Sequence, residues 1–365
     1  MIYWIWLSQL EGIGSCTQKL LLKYFRTPER IYHAELDELL ECDGIGKERV
    51  QQIITLRSLE KAKRILEQCD KHNITLLTYE DHRYPELSKA ISDMPILLYY
   101  KGQFIPDSTG IGIVGSRRCT DYGKEVAVNC ATYLAKQHIP VISGMAKGID
   151  SYAHTACLKA DGYTVAVLGN GLDICYPSEH RSLMDQITEQ GLLLSEYEPG
   201  KRPDRHHFPK RNRIIAAWSK KLLVVEAGIR SGALITADVA GQYGREVLAV
   251  PGRLDAPESA GTNELIAKGA SIFLHQEQLL REDSKQDSLD QTQVPVHHKP
   301  EKINPHTNEE KELLRFIQNV FESMPVSIEQ ITKKLQFSKE EVLEMLLVLE
   351  LQDVVVLNGD KVQLV

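Results

Sequence analysis

The stretch Ile111-Gly-Ile-Val-Gly-Ser-Arg-Arg-Cys-Thr-Asp-Tyr-Gly-Lys-Glu-Val-Ala-Val-Asn-Cys-Ala-Thr-Tyr-Leu-Ala-Lys-Gln-His-Ile-Pro-Val-Ile-Ser-Gly144 reads as one strand–helix–strand unit. It opens on the short apolar run Ile111–Val114 and breaks at Gly115-Ser116-Arg117. Helical spacing follows from Gly123 to Gln137, and a second apolar run, Pro140-Val-Ile142, ends at Ser143-Gly144. Continuous apolar runs separated by helix-spaced segments are the pattern of parallel strands covered on both faces. The same alternation continues through Thr164–Leu168, Leu192–Leu194, Leu222–Val225, Val247–Val250 and Ala270–Phe273, with helical segments such as Ile149–Lys159 and Ala233–Tyr243 between them. This predicts an α/β fold: a Rossmann-like, doubly wound, mainly parallel sheet.

Working outward, the pattern changes on both sides. Residues 1–72 read as all-helical, 73–281 as the α/β core, 282–306 as a polar linker with three prolines, and 307–365 as a third small unit. The N-terminal region repeats one turn, Leu10-Glu-Gly-Ile-Gly14 and Cys42-Asp-Gly-Ile-Gly46, each between helical patterns. Such turns either offer backbone amides to DNA phosphates or act as plain helical hairpins. In the C-terminal unit Thr307-x-x-Glu310, Ser327-x-x-Gln330 and Ser338-x-x-Glu341 have the spacing of capping boxes. The last two apolar runs, Val354–Leu357 and Lys361–Val365, flank Asn358-Gly359, a hairpin signal. Three helices and a hairpin make a winged-helix layout. Its third helix carries Glu340, Glu341, Glu344 and Glu350 against Lys339, a face that would repel phosphates and suits a protein contact or a regulatory role.

The chain has 365 residues and a net charge of -7, so a nucleic-acid site has to be a local basic patch. Seven cysteines are widely spaced with no C-x-x-C, which fits a reducing compartment and speaks against a zinc ribbon. The apolar start Met1-Ile-Tyr-Trp-Ile-Trp-Leu7 lacks a basic n-region, so no signal peptide is read there. No apolar stretch is long enough to span a membrane, and a cytoplasmic location is expected.

Small and polar residues collect where the strands end: Gly115-Ser116-Arg117, Ser143-Gly144, Gly169-Asn170-Gly171, Ser195-Glu196, Glu226-Ala-Gly228 and Pro251-Gly252. Open α/β sheets bind ligands at this rim. Ser143-Gly-Met-Ala-Lys-Gly-Ile-Asp150 joins a strand to a helix and reads as a phosphate cradle of main-chain amides at Gly144 and Gly148. It has no Walker A pattern, and no G-x-G-x-x-G follows the first strand. Lys147 adds a charge there or is a solvated lysine; Arg117 forks onto a phosphate or pairs with a carboxylate. The run Lys201-Arg-Pro-Asp-Arg-His-His-Phe-Pro-Lys-Arg-Asn-Arg213 carries six Lys or Arg against one Asp. Pro209 suits a helix start, which would place Lys210, Arg211 and Arg213 in the first turns, where cations oppose the macrodipole and an anionic ligand would explain them. Asn212 lies among them. His206-His207 has no further ligand at helical spacing, so no metal is expected. Glu226-Ala-Gly-Ile-Arg-Ser-Gly232 is a second strand–loop–helix junction whose Gly232 amides suit another phosphate, and Glu226 is either a catalytic carboxylate or a partner for an arginine such as Arg213.

In order, these motifs resemble the DprA/Smf (DNA-processing protein A) family: Gly115-Ser-Arg117, Ser143-Gly-x-Ala-x-Gly-Ile-Asp150, Gly169-x-Gly-x-Asp-x-x-Tyr-Pro177, Phe208-Pro-x-Arg-Asn-Arg-Ile-Ile215, Ser231-Gly-Ala-Leu-Ile-Thr-Ala237 and Gly244–Gly252 with Gly261-Thr-Asn-x-Leu-Ile266. The likeness runs from about Tyr84 to Phe273, with His180 a departure where the family often has Asn. The resemblance implies a non-enzymatic protein without cofactor or metal. It would bind incoming single-stranded DNA during natural transformation and help load the recombinase RecA, as a dimer through the Rossmann-like domain. It carries the family's basic pocket onto Arg117, the Ser143–Gly148 loop, Lys210, Arg211 and Arg213, and a sterile-alpha-motif-like (SAM-like) helical domain onto the N-terminus. The rival reading is a phosphoribohydrolase of the LOG type; its P-G-G-x-G-T-x-x-E loop is replaced here by Glu226-Ala-Gly-Ile-Arg-Ser-Gly232.

Overall fold

The computed structural model describes residues 1–105, 108–281, 326–335, 337–351, 355–358 and 360–364. They fall in two compact units, Met1–Asp283 and Ser284–Val365.

The first unit begins with six helices: α1 (Ile2–Ser8), α2 (Ser15–Phe25), α3 (Pro28–His33), α4 (Leu36–Leu40), α5 (Lys47–Thr55) and α6 (Glu60–Lys71). The two repeated turns lie before α2 and α5, with Gly14 and Gly46 as the N-caps. The first turn is tied to its own helix: the buried Gln18 amide donates to Leu7 O at 2.9 Å and Ile13 O at 2.8 Å. Across the bundle Trp6 Nε1 donates to Leu56 O at 3.0 Å.

A nine-stranded sheet follows: β1 (Thr75–Thr78), β2 (Leu97–Gly102), β3 (Gly110–Val114), β4 (Val141–Ser143), β5 (Thr164–Leu168), β6 (Leu192–Ser195), β7 (Ser219–Val224), β8 (Glu246–Ala249) and β9 (Ser271–Ile272). Its order is β1-β2-β6-β5-β4-β3-β7-β8-β9. The seven strands from β3 onward run parallel, which bears out the doubly wound sheet. Two antiparallel strands, β1 and β2, extend it beside β6. The helices are α7 (Glu86–Lys89), α8 (Asp121–Lys136), α9 (Ile149–Lys159), α10 (Arg181–Gln190), α11 (His207–Trp218), α12 (Gly232–Gln242) and α13 (Ala260–Ala267).

Alternate residues of each strand feed opposite faces. Val165 and Val167 join a core with α11 and α12, which contains Ile214, Trp218, Ala233 and Ala237. Ala166 and Leu168 join the other face with Leu183 and Ile187 of α10 and with Ile5, Leu21, Ile31 and Ile53 of the N-terminal helices. Farther along the same sheet, α8 and α9 cover Ile111, Ile113 and Val141. The N-terminal helices therefore complete a layer of the α/β core.

The second unit contains β10 (Val326–Ser327), α14 (Ile328–Leu335), α15 (Lys339–Leu351), β11 (Val355–Asn358) and β12 (Lys361–Leu364). The strands form an antiparallel sheet in the order β10-β12-β11. Two of the expected capping boxes form: Ser327 Oγ accepts from Gln330 N and Ser338 Oγ from Glu341 N, while Gln330 and Glu341 reach back to Ser327 N and Ser338 N. Two helices and the β11–β12 hairpin of the expected winged-helix layout are present, and the first of its three expected helices lies outside the described residues. The Thr307–Glu310 box, the linker 282–306 and the side chains of Glu340, Glu344 and Glu350 lie outside the described residues.

Candidate functional site

From β3 the chain winds through β4, β5 and β6 to one side, then returns to place β7, β8 and β9 on the other. The loops after β3 and β7 part at this reversal and leave a crevice at the carboxyl ends of the strands, where α/β sheets bind ligands. A cavity of about 860 Å³ fills that crevice. Its walls are Val114–Arg118 after β3, Ala146 and Asp150 after β4, Tyr176, Pro203–Arg205, one side of α11, and the start of α12 with the loop before it.

Of the residues singled out by sequence, Gly115, Ser116, Arg117, Arg211, Asn212 and Gly232 all line this one cavity. The loop after Ser143 contributes Ala146, so the three motifs converge on one rim. Their roles differ. Arg117 is exposed, with its guanidinium 5.6 Å from the Phe208 ring centroid. Phe208 in turn stacks on the half-exposed Tyr176 at 5.5 Å and 29°. A stacked aromatic pair beside a guanidinium is a platform for a planar base. Arg118, Arg205 and Arg230 are exposed on the same walls, against one exposed carboxylate, Asp204. The His206 amide holds that carboxyl below its usual range.

Arg211 is built in. It is buried, donates Nη1 to Gly144 O at 2.7 Å and also to Val167 O, and donates Nε to Asn212 Oδ1 at 3.1 Å. Burial lowers its pKa to about 10, opposed by the Asp150 carboxylate. Burial raises the Asp150 pKa, opposed by Arg211 and by the amides of Ala146 and Gly144. Arg211 thus organises the wall. Gly144 is required beside it, because a Cβ there would sit 2.6 Å from the guanidinium. Asn212 Nδ2 donates to Gly232 O at 3.3 Å and joins α11 to α12.

Several sequence expectations need correction. The loop after β4 is no open amide cradle: Gly144 N and Ala146 N donate to Asp150 Oδ2 at 3.2 and 3.3 Å. Ile149 N donates to Ser116 O at 3.2 Å, and Ser143 Oγ donates to Ile113 O at 2.6 Å. Gly148 makes that packing possible, with φ +78° and a would-be Cβ in collision with Ser116 O. Lys147 pairs with Glu179, and Asn170 is buried with Nδ2 on Gly171 O and Ile174 O; neither lines the cavity. The helix bearing the basic run starts at His207, two residues before Pro209. Arg213 faces away from the cavity, buried against Glu196 and the Asp93 carbonyl, which relieves its conflict with the helix dipole. Lys210 is exposed, 3.8 Å from Glu196. Glu226 serves Thr120, accepting its backbone N at 2.9 Å and its Oγ1 at 2.5 Å. The sequence reading passed over Tyr176, Arg118, Arg205 and Arg230. The only available signal was their position at strand ends and in the basic run.

Behind the site His154 is fully buried. Thr164 Oγ1 gives its proton to Val141 O at 2.8 Å, so it accepts from His154 Nδ1–H at 2.7 Å. The imidazole is therefore the neutral Nδ1–H form, with the Nε2 lone pair unpartnered. Burial pushes its pKa down to about 3, helped by His180 and Arg211.

Among the described residues no group of three or more His, Cys, Asp or Glu is placed to hold a metal, and no helix is long and apolar enough to cross a membrane. A family profile described as DNA recombination-mediator protein A matches residues 75–283, and one described as a SAM-like helix-hairpin-helix tandem matches residues 7–55. Protein Smf of Synechocystis is 40% identical over 299 residues, which is 80% of this chain and 74% of that protein. The DNA processing protein DprA of Bacillus subtilis is 38% identical over 224 residues, 61% of this chain and 75% of that one. The X-ray structure of DNA processing protein A from Streptococcus pneumoniae superposes with a TM-score of 0.68 at 32% identity, covering 77% of this chain and 97% of its own. A structure describing the single-stranded DNA binding mode of DNA processing protein A from Helicobacter pylori gives a TM-score of 0.52 at 32% identity, covering 56% of this chain and 93% of its own.

Proposed function

The chain belongs to the DprA/Smf family, and we propose from that premise that it binds single-stranded DNA in the crevice between β3 and β7, in the service of DNA processing during transformation. One observation carries this reading: exposed guanidinium groups and a stacked aromatic pair share a single cavity at the sheet's reversal point. Arg117, Arg118, Arg205 and Arg230 suit phosphodiesters. Tyr176 and Phe208 suit an unpaired base, an interaction worth about 1–3 kcal/mol per base. A duplex keeps its bases stacked inside and presents none to such a platform, so single strands are preferred.

The proposed role is binding without chemistry, and the way two of the carboxylates are used supports it. Glu226 is 2% exposed and occupied by Thr120, and Asp150 is held by two loop amides beside Arg211. Homodimer formation is part of the proposal. Ile272 of the short edge strand β9 is 41% exposed and Leu274, just beyond it, 68%, an apolar pair at the sheet's edge that suits a second copy. Delivery of the bound strand to a recombinase such as RecA is the further step that the family relationship supports.

The test is a comparison of single-stranded and double-stranded oligonucleotides by gel shift across a salt series. The native chain binds the single strand more tightly, with log affinity falling by about 0.7 per phosphate contact per log unit of salt. Arg117→Ala and Tyr176→Ala each weaken it, and Tyr176→Ala leaves the salt slope unchanged. Equal affinity for duplex and single strand would refute the reading.

A further inference from the structure

The first cavity has a neighbour. Phe208, Arg211, Asn212 and Ile215 face it from one side of α11, while Pro209 and Arg213, four residues apart, face a second cleft of about 650 Å³. Pro209 lines both. This second cleft is completed by the segment after α7 and by the end of α12.

Its charges are unevenly spent. Arg213 is neutralised inside the protein by Glu196. Arg245 is not: its Nη2 donates to Leu87 O at 2.9 Å, its Nε is buried without a partner, and no described carboxylate comes within ion-pair distance of it. Burial lowers its pKa, with only the Tyr243 phenol opposing. A partly desolvated cation beside a cleft, lacking a counter-charge, calls for an anion from outside. The cleft also holds one carboxylate, Asp93, which accepts the Tyr243 hydroxyl at 2.9 and 3.1 Å and keeps lone pairs to spare. A bare phosphate would be repelled there. An amino or imino group on a base edge would be welcomed, against the apolar wall that includes Ile91 and Val239. Cation, base-edge acceptor and apolar wall together match one nucleotide.

We propose that this cleft is a second nucleotide subsite on the same strand path, taking a nucleotide near the one held at Phe208, with its phosphodiester on Arg245 and its base edge on Asp93. The strand crosses between the cavities over Pro209, where the exposed Lys210 lies beside the connecting backbone. This inference rests on the first cavity being the single-strand site.

Gln242, an exposed residue of the second cleft that is absent from the first, tests it without touching Arg245's structural bond. Affinity is read by fluorescence anisotropy for a short oligothymidylate, on the order of four nucleotides, and for one several times longer. Gln242→Glu weakens the long strand by about fivefold and Gln242→Lys tightens it, while the short strand, held at the first cavity, changes by less than about twofold in either variant. Lys136→Gln, the same change of charge at an exposed residue of α8 outside both cavities, leaves both lengths unaffected. If both Gln242 variants bind the long strand like the native chain while Arg117→Ala loses it, the second subsite is wrong and the first cavity stands. If Lys136→Gln weakens the long strand as much as Gln242→Glu, the effect is bulk charge and the subsite is again refuted. If Arg117→Ala binds both strands normally, the reading of the first cavity falls and this one with it.

Discussion

Arg117, just past β3, and Arg211, in the basic run on α11, look alike in sequence and behave oppositely in the fold, and substitution separates them. Arg117 reaches open crevice, so Arg117→Ala costs folding stability less than about 0.5 kcal/mol while single-strand affinity drops about tenfold or more. Arg211 is walled in among Gly144 O, Val167 O and Asn212, and its removal strands the buried Asp150 carboxylate. Arg211→Ala is expected to lower stability by about 3–5 kcal/mol in urea denaturation. His154 sets a dependence on acid. Its folded pKa of about 3 lies below the ordinary 6.5, so the unfolded chain takes up a proton that the folded one refuses. The stability tied to the neutral imidazole is whole above pH 6.5 and drains away as the pH falls toward 3. The stability gap between the native chain and His154→Asn should therefore narrow from neutral pH to about pH 4; a constant gap would contradict the assignment. At this scale sequence is a partial guide. Arg117 was readable because the apolar run stops at Val114 and leaves the next residues at the rim. The burial of Arg213 was not, because its partner Glu196 comes from the end of another strand and nothing local announces the pairing.

Helix starts and loop crossings govern the next level. Thr120 caps α8 by accepting Gly123 N at 3.2 Å, and the same hydroxyl donates to Glu226. Thr120→Ala loses the cap and leaves the carboxylate short of a partner, which should cost about 2 kcal/mol, whereas Thr120→Ser retains both bonds and most of the stability. Thermal unfolding of the pair checks this. The alternation of runs from Ile111 to Phe273 disclosed the parallel strands because buried strands are apolar on both faces. It passed over β1 and β2, since Leu97-Leu-Tyr-Tyr100 has no following helix to mark it as part of a strand–helix repeat and pairs instead with a distant β6. The Ser143–Gly148 loop shows a subtler limit. Its glycines suggested amides turned outward, yet Asp150, two residues beyond the loop, turns them inward.

For the molecule as a whole, the division into Met1–Asp283 and Ser284–Val365 makes a direct statement about binding. Every residue of the crevice lies in the first unit, so a chain ending at Asp283 should hold single strands as tightly as the full chain, measured side by side by anisotropy. A large loss would assign the second unit a share of the site. The residue pattern indicates helices before residue 72 and a sheet after it, and both are present, but it leaves open how the two meet. They meet through a common interior: Leu21 and Ile53 belong to the same apolar cluster as Leu168 and Leu193. Regions joined in this way have no seam along which to come apart. Deuterium uptake at the amides of α2 and β6 should then report one shared opening free energy, and calorimetry of the first unit one melting peak where two independent modules would give two.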